Sequence, residues 1–262
     1  MDETFQIHIN RIARMTLPEA RKTQVQHIQS SPKFSLKDGQ VQPSPFPGYS
    51  VITPPWVDET ENGVFYEQLQ ALQQQVLQQL EPGLLVPVPP DSFHMTLADL
   101  IWDSAFHHAV EEDAEFEPKL RDRLRVLFEQ FQTSIDGSHP VYWQVLGLIV
   151  MPRAVGVCLL PKDEASYQRV VALRRLIYQD HDLIALGIEQ QYHLTAHVTL
   201  GYFGSLPDAL DREALSDRLS KINHEWLDAT DPQPLWVHRA ELRKFDDMTR
   251  YYREPDWAAV SL

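Results

Sequence analysis

Two short segments of the sequence carry the same combination of residues that could transfer protons. His94-Met95-Thr96-Leu97 and His197-Val198-Thr199-Leu200 both read histidine, apolar residue, threonine, leucine. An unperturbed imidazole has a pKa near 6.5, close to neutral pH, so one histidine can accept a proton while a second donates one. Threonine hydroxyls can donate hydrogen bonds to oxygens on which charge develops. Together the two segments hold the groups needed for in-line cleavage of a phosphodiester without a metal ion.

Both segments are predicted to lie on β-strands, within Phe93–Leu97 and Tyr192–Phe203. Side chains two residues apart point to the same face of a strand, so each histidine shares a face with its threonine. The next residues in phase, Ala98 and Gly201, are small and are predicted to leave room beside each pair. The pattern indicates two walls of one cleft. The alternatives are structural histidines and threonines that merely suit a strand.

The paired motifs resemble those of the 2H phosphoesterase superfamily, which includes RNA 2′,3′-cyclic phosphodiesterases, ligT-like RNA ligases and cyclic-phosphate hydrolases. The chain resembles one branch of this superfamily over nearly its whole length from Lys33 onward. The segments that carry this closer resemblance are Lys33-Phe34 with Gly39, Pro45-Phe46-Pro47-Gly48, and Ser92-Phe93-His94-Met95-Thr96. Tyr49-Ser50 departs from that branch, in which a smaller polar pair is expected, and the departure bears on substrate preference.

The resemblance implies an α+β, bilobal fold in which two antiparallel sheets flank a central cleft, with helices outside. It places one motif on each lobe, and the catalytic residues carried over are His94, Thr96, His197 and Thr199. The substrate implied is a small cyclic phosphodiester of a nucleotide or a short RNA end, with no cofactor. We assign His197 as the base and His94 as the acid in hydrolysis, although the near-symmetry of the motifs leaves the reverse open. A module that binds a nucleotide without turnover is the alternative.

A few other residues are candidates for the site. Phe203 continues the phase of the second motif and could stack on a base, and Tyr49 is a candidate for the aromatic rim; both also suit a packed core. Tyr251 is a further rim candidate. His193 and His197 have the i, i+4 spacing of a metal site on a helix, which leaves a metal-dependent hydrolase as a weaker alternative. The surroundings are typical of a strand, so no metal is expected.

The remaining pattern predicts helices and strands in alternation, with antiparallel pairs. Apolar residues recur at helical spacing over 64–80. Asp163 is placed to cap a helix that runs to about His181, and Thr16 and Glu19 have the spacing of a capping box. The sequence predicts an N-terminal helical extension over residues 1–32 and a single bilobal domain over residues 33–262.

Composition limits the partners. Among 262 residues, 23 Lys and Arg stand against 37 Asp and Glu, so the formal net charge is −14. Such a surface excludes non-specific binding to long nucleic acids or anionic membranes, but not a small anion held locally. The single cysteine, Cys158, excludes a disulfide framework and indicates a reduced, cytoplasmic setting. An acidic start, Asp2-Glu3, is unlike a signal peptide. The sequence leaves the oligomeric state unknown.

Overall fold

The computed structural model describes residues 3–37, 39–135 and 139–262, and its strands form two main sheets and one hairpin. Every strand pair in the described part of the chain is antiparallel. In chain order the strands are β1 (Phe34–Lys37), β2 (Gln40–Pro43), β3 (Gly48–Ile52), β4 (Leu85–Pro87), β5 (Thr96–Trp102), β6 (Tyr142–Met151), β7 (Ala154–Pro161), β8 (His197–Phe203), β9 (Leu235–Trp236), β10 (Arg239–Phe245) and β11 (Ala259–Ser261).

The two motifs belong to different sheets. The first sheet has the order β11-β10-β3-β5, and His94 lies just before its edge strand β5. The second has the order β4-β8-β7-β6-β9, and His197 is the first residue of the inner strand β8. The hairpin β1-β2 stands apart from both sheets. The placement of one motif in each sheet is the arrangement that the resemblance implies.

Helices cover the sheets on the sides away from the cleft. They are α1 (Phe5–Met15), α2 (Pro18–Val25), α3 (Gly63–Gln79), α4 (Asp103–Glu112), α5 (Phe116–Ser134), α6 (Glu164–Tyr178), α7 (His181–Ala185) and α8 (Arg212–Ala229). Helices α4 and α5 pack on the first sheet, whereas α1, α2, α3 and α8 pack on the second. Helix α6 contacts both β5 and β7, so it joins the two lobes. The expected α+β class with two antiparallel sheets and outer helices is confirmed.

Several local predictions can be compared with the structure. Helix α3 matches the predicted 64–80 closely, and the Asp163 side chain caps α6 by accepting the Ser166 N–H at 2.7 Å. The capping box at Thr16 is wrong, because Thr16 ends α1 and its hydroxyl donates to the Ala13 carbonyl at 3.0 Å. The sequence over 33–41 also predicts a hairpin with an Asp38-Gly39 turn. Strands β1 and β2 form a hairpin there, and Asp38 lies outside the described residues.

The N-terminal helices pack closely against the second sheet. Ile12 of α1 and Val25 of α2 are fully buried, and Ile12 packs with Ile149 of β6 and Cys158 of β7. The division into an extension over 1–32 and a domain over 33–262 stays a prediction. Among the residues that the structure describes, no helix is both long and apolar enough to cross a membrane.

Candidate active site

A cavity of about 360 Å³ lies between the two sheets. His94 and Thr96 line it from the first sheet, and His197 and Thr199 line it from the second. All four side chains are half-buried, while the apolar residues that alternate with them are fully buried. The structure therefore brings the two motifs together around one volume.

The first motif is fixed by hydrogen bonds at the start of β5. Met95 donates its N–H to the Thr53 hydroxyl and accepts the Thr53 N–H, both at 3.0 Å. These bonds extend the pairing of the sheet beyond Thr96 and hold the backbone of His94. The imidazole Nδ1 lies 2.7 Å from the Ser92 carbonyl oxygen. Because a carbonyl only accepts, Nδ1 carries the proton and Nε2 keeps its lone pair.

The second motif repeats this arrangement in the other sheet. His197 Nδ1 lies 2.7 Å from the Thr195 carbonyl, again two residues earlier in the chain. The backbone is held by β7, where Cys158 pairs with His197 and Leu159 donates to the Ala196 carbonyl at 2.9 Å. Both histidines thus have the same tautomer, which leaves each Nε2 free for proton transfer.

The surroundings of His94 favour its neutral form. Its pKa is lowered to about 4, mainly by burial; the nearby His197 and Arg243 act in the same direction, while the Ser92 carbonyl acts against them. The Tyr251 ring packs on the imidazole, with ring centroids 4.2 Å apart. Tyr251 therefore lies in the site, as its candidacy for an aromatic rim suggested.

His197 has a different electrostatic neighbour. Burial also lowers its pKa, but the Asp99 carboxylate acts to raise it, with the Thr195 carbonyl, while Lys33 acts to lower it. Asp99 lies on β5, in the sheet that carries His94, so it acts on His197 from the opposite lobe. This carboxylate breaks the near-symmetry of the two motifs.

The position of Asp99 in the cavity was not expected. The register between β3 and β5 shifts after Tyr49 and again after Val51. Such bulges add a residue to one strand and change which face the following side chains occupy. Ala98 is consequently buried opposite Val51, and Asp99 lines the cavity in its place. The prediction that Ala98 leaves room in the cleft is therefore wrong.

A corresponding correction applies to β8. The register between β7 and β8 shifts between Val155 and Gly156, after which Tyr202 lines the cavity. A Cβ on Gly201 would lie 2.7 Å from the Val86 carbonyl oxygen of β4. The absent side chain at Gly201 therefore allows two strands to approach closely, rather than leaving room beside the second motif.

The Asp99 carboxyl is itself perturbed. Burial raises its pKa, although the charges of His197, Arg174 and Lys33 and a hydrogen bond with Ser50 act in the other direction. The only sequence signal for this residue is a charged side chain within an otherwise apolar strand. A buried carboxyl beside an imidazole is a recognised feature of catalytic sites.

The two predicted substrate-binding residues lie away from the cavity. Tyr49 is fully buried, and its hydroxyl donates to Glu117 and accepts from Arg121 Nη1 at 3.2 Å. Phe203 is also fully buried in the core. Ser50 and Tyr202, the sequence neighbours of these two residues, line the cavity instead. For Phe203 the cause is the extra residue in β8 between Thr199 and Gly201.

The metal alternative depended on His193 and His197. His193 is exposed and lies before β8 rather than on a helix, so the two histidines lack helical i, i+4 geometry. Within residues 3–37, 39–135 and 139–262, no group of three or more His, Cys, Asp or Glu side chains is arranged to hold a metal ion. Cys158 is buried, and burial raises the pKa of its thiol to about 12, as suits a packing residue.

Comparisons with known proteins give structural matches only. No protein-family model matches the chain, and no curated protein sequence matches it. The conserved protein of unknown function ATU0111 from Agrobacterium tumefaciens matches with a TM-score of 0.58 and 16% identity, over 87% of this chain and 93% of that chain. E. coli LigT in its apo form matches with a TM-score of 0.44 and 16% identity, over 84% of this chain and 99% of that chain. LigT complexed with 3′-AMP matches with a TM-score of 0.42 and 15% identity, over 83% and 98%. The chain thus shares its fold with the Agrobacterium protein.

Proposed function

We propose that the chain is a phosphoesterase of the 2H type that hydrolyses a cyclic phosphodiester of a nucleotide or short RNA end without a metal ion. The observation that carries the proposal is the repeated geometry of His94 and His197. Each imidazole donates from Nδ1 to the carbonyl two residues earlier, precedes a threonine by two residues, and lines the same cavity from its own sheet.

In the proposed reaction one histidine removes a proton from water and the other protonates the leaving oxygen. The water oxygen forms a bond to phosphorus as its proton passes to Nε2 of the base. The bond from phosphorus to one ring oxygen breaks, and Nε2–H of the acid supplies the proton to that oxygen. The product is a phosphomonoester with a free neighbouring hydroxyl. Thr96 and Thr199 donate hydrogen bonds to the non-bridging oxygens as charge develops there.

The charges around the two imidazoles favour one assignment of roles. A base must be neutral, and His94 is kept neutral by burial and by the neighbouring Arg243. An acid must be protonated, and Asp99 stabilises the protonated form of His197. An anionic substrate phosphate would raise the pKa of both imidazoles further. We therefore propose His94 as base and His197 as acid, which reverses the assignment made from the sequence.

Assay of the purified protein with 2′,3′-cyclic nucleotides and with ADP-ribose cyclic phosphate tests this function. General acid–base groups contribute about 10²- to 10⁴-fold, so we expect losses of that size in kcat for His94→Ala and for His197→Ala. His193→Ala, an exposed histidine close to the second motif, is the matched control and should keep full activity. Activity should also survive in a strong chelator.

Three results would decide against the proposal. Absence of turnover on every cyclic phosphodiester tested, with a bound nucleotide recovered unchanged, would favour a binding module. Loss of activity in chelator would favour metal-dependent chemistry. Equal loss in the His193→Ala control would show that the effect is not specific to the two motifs.

A further inference from the structure

Basic residues outnumber acidic residues in the lining of the cavity, whereas acidic residues are in excess over the whole chain. The chain carries a net charge of −14, yet the formally charged side chains that line the cavity are Lys33, Arg153 and Asp99. Asp99 is hydrogen-bonded with Ser50 and is the one acidic group among them. The cavity therefore has a net positive lining within an acidic protein, which is expected of a site for anions.

In the part of the chain that the structure describes, no ion pair joins either cation to an acidic side chain. Among the residues described, neither Lys33 nor Arg153 forms an ion pair, although carboxylates outnumber basic groups in the chain. Lys244, by contrast, pairs with Glu117 at 2.7 Å. Two unpaired cations at one cavity indicate that the missing counter-charge comes from a ligand.

The Lys33 side chain is held in place before any ligand binds. Its Nζ donates to the Tyr202 hydroxyl at 3.3 Å, and it lies 4.6 Å from the Phe46 ring centroid and 4.7 Å from that of Tyr202. The Tyr202 hydroxyl in turn faces Met248 Sδ at 3.4 Å. Contacts with two aromatic faces fix a long side chain that would otherwise be mobile, which lowers the entropic cost of binding an anion.

Both cations are attached to the same end of β8. Arg153 lies in the turn between β6 and β7, and its carbonyl accepts the Phe203 N–H at 3.0 Å. Ser31, two residues before Lys33, donates its N–H to the Phe203 carbonyl at 2.8 Å. The backbones of both segments therefore lie at the end of β8 that carries Tyr202, and all three side chains line the cavity there, whereas His197 is at the opposite end of the strand. Tyr202 lies three positions after Thr199, which is at most about 10 Å along a strand.

We propose that Lys33, Arg153 and the Tyr202 hydroxyl form a second phosphate subsite, so that the preferred substrate carries another phosphate about one nucleotide away from the cyclic phosphodiester. The inference rests on the proposed function, because it places the cyclic phosphodiester at the two histidines. The second phosphate can be the diester of a preceding nucleotide or part of a pyrophosphate. Either source supplies the same chemistry, a negatively charged phosphate in reach of two cations.

Equilibrium binding to the His94→Ala protein tests the subsite without turnover. The probes are adenosine 2′,3′-cyclic phosphate, an adenylyl dinucleotide that ends in the same cyclic phosphate, and ADP-ribose cyclic phosphate. We expect at least one of the last two to bind about ten-fold or more tightly than the first, with a steeper salt dependence. The tighter of the two identifies the source of the second phosphate.

Substitutions distinguish binding at the subsite from a general effect of removing one positive charge from the protein. Lys33→Met and Arg153→Gln, made in the same background, should each remove most of the preference and leave the affinity for the mononucleotide within about two-fold. Arg153 is exposed, so its variant keeps the inference testable even if Lys33→Met perturbs folding. Lys37→Met, an exposed lysine of the adjoining hairpin, is the control and should keep the preference.

Each outcome has a definite meaning. Equal affinity for all three probes would overturn the subsite, and so would a preference that Lys37→Met abolishes as much as Lys33→Met does. A preference that depends on Lys33 and Arg153, in a protein whose unmodified form hydrolyses none of the probes, would support the subsite and refute the hydrolysis. Failure of the His94→Ala protein to bind any probe would refute the subsite, while the turnover assay of the unmodified protein separately decides the proposed hydrolysis.

Discussion

Arg11 of α1 supports the segment that carries His197, so its replacement is predicted to lower turnover. Its Nη2 donates to the Leu194 carbonyl at 2.6 Å and its Nη1 donates to the Thr195 hydroxyl at 3.0 Å. The Thr195 carbonyl is the acceptor for His197 Nδ1. Glu3 fixes the guanidinium from the other side, with Nε to Oε1 at 2.8 Å. Thr195 thus links the N-terminal helix to the proposed acid, since its hydroxyl accepts from Arg11 and its carbonyl accepts from His197.

The size of the effect follows from these contacts. Each hydrogen bond from a charged donor contributes about 1.5–3 kcal/mol, and Arg11→Met removes two of them to the segment before β8. The Arg11 side chain is 27% exposed, so water replaces part of the loss. We expect the free energy of unfolding to fall by about 2–3 kcal/mol. A displacement of about 1 Å at a reacting group can lower the rate of the chemical step by about 100-fold. Because Arg11 acts on His197 only through Thr195, we expect a smaller decrease, of roughly ten-fold, in kcat.

The assay compares steady-state kinetics of Arg11→Met and Arg14→Met on a cyclic nucleotide, with urea denaturation of both. Arg14 is exposed on the same helix and is the matched control. Arg11→Met should lower kcat with little change in KM, and Arg11→Lys should restore part of the activity. The ring N–H signal of His197, read by NMR, should broaden or shift in Arg11→Met only. A loss of stability with unchanged kcat and an unchanged His197 signal would refute the positioning role.

Two further predictions concern pH. Asp99→Asn should move the high-pH limb of kcat/KM to lower pH by roughly one unit. The reason is that the lost carboxylate no longer raises the pKa of His197, the proposed acid. Movement of the low-pH limb instead would show that His197 is the base. His8 is fully buried, and its pKa is lowered to about 4, mainly by burial. The neutral imidazole of the folded state takes up a proton less readily than that of the unfolded chain, whose pKa is about 6.5. The free energy of unfolding is therefore highest above pH 6.5 and falls as the pH decreases below that value. Between pH 7 and pH 5 this amounts to about 2 kcal/mol, which His8→Phe should abolish in urea denaturation; an unchanged pH dependence would contradict it.

The fold and the core of the site could be predicted because they depend on short-range patterns. Alternating residues specify which face of a strand is apolar, and that rule correctly placed His94 and Thr96 on one wall and His197 and Thr199 on the other. The helical spacing over 64–80 identified α3 for the same reason. Each of these features is set by neighbours in the sequence.

The errors about which side chains follow the two motifs into the cavity arise where a bulge interrupts that pattern. Past Thr96 and past Thr199 the strands each change register, so extrapolation by two residues selected Ala98 and Gly201 instead of Asp99 and Tyr202. A bulge depends on how two distant strands pair, so no signal within one strand announces it. The same limit applies to Arg11, since its contacts with Leu194 and Thr195 join residues more than 180 positions apart.

The charge of −14 can be reconciled with a phosphate substrate through the range over which charges act. At physiological ionic strength exposed charges are screened within about 8 Å, so an anion inside the cavity responds to the groups that line it rather than to the net charge. Lys33 and Arg153 then attract a phosphate, while the acidic exterior acts on any part of the ligand outside the cavity. A cavity of about 360 Å³ lies at the small end of the range for ligand sites. The balance therefore favours substrates that end within the cleft, such as a nucleotide or a short oligonucleotide, over a long RNA that would continue across the acidic surface.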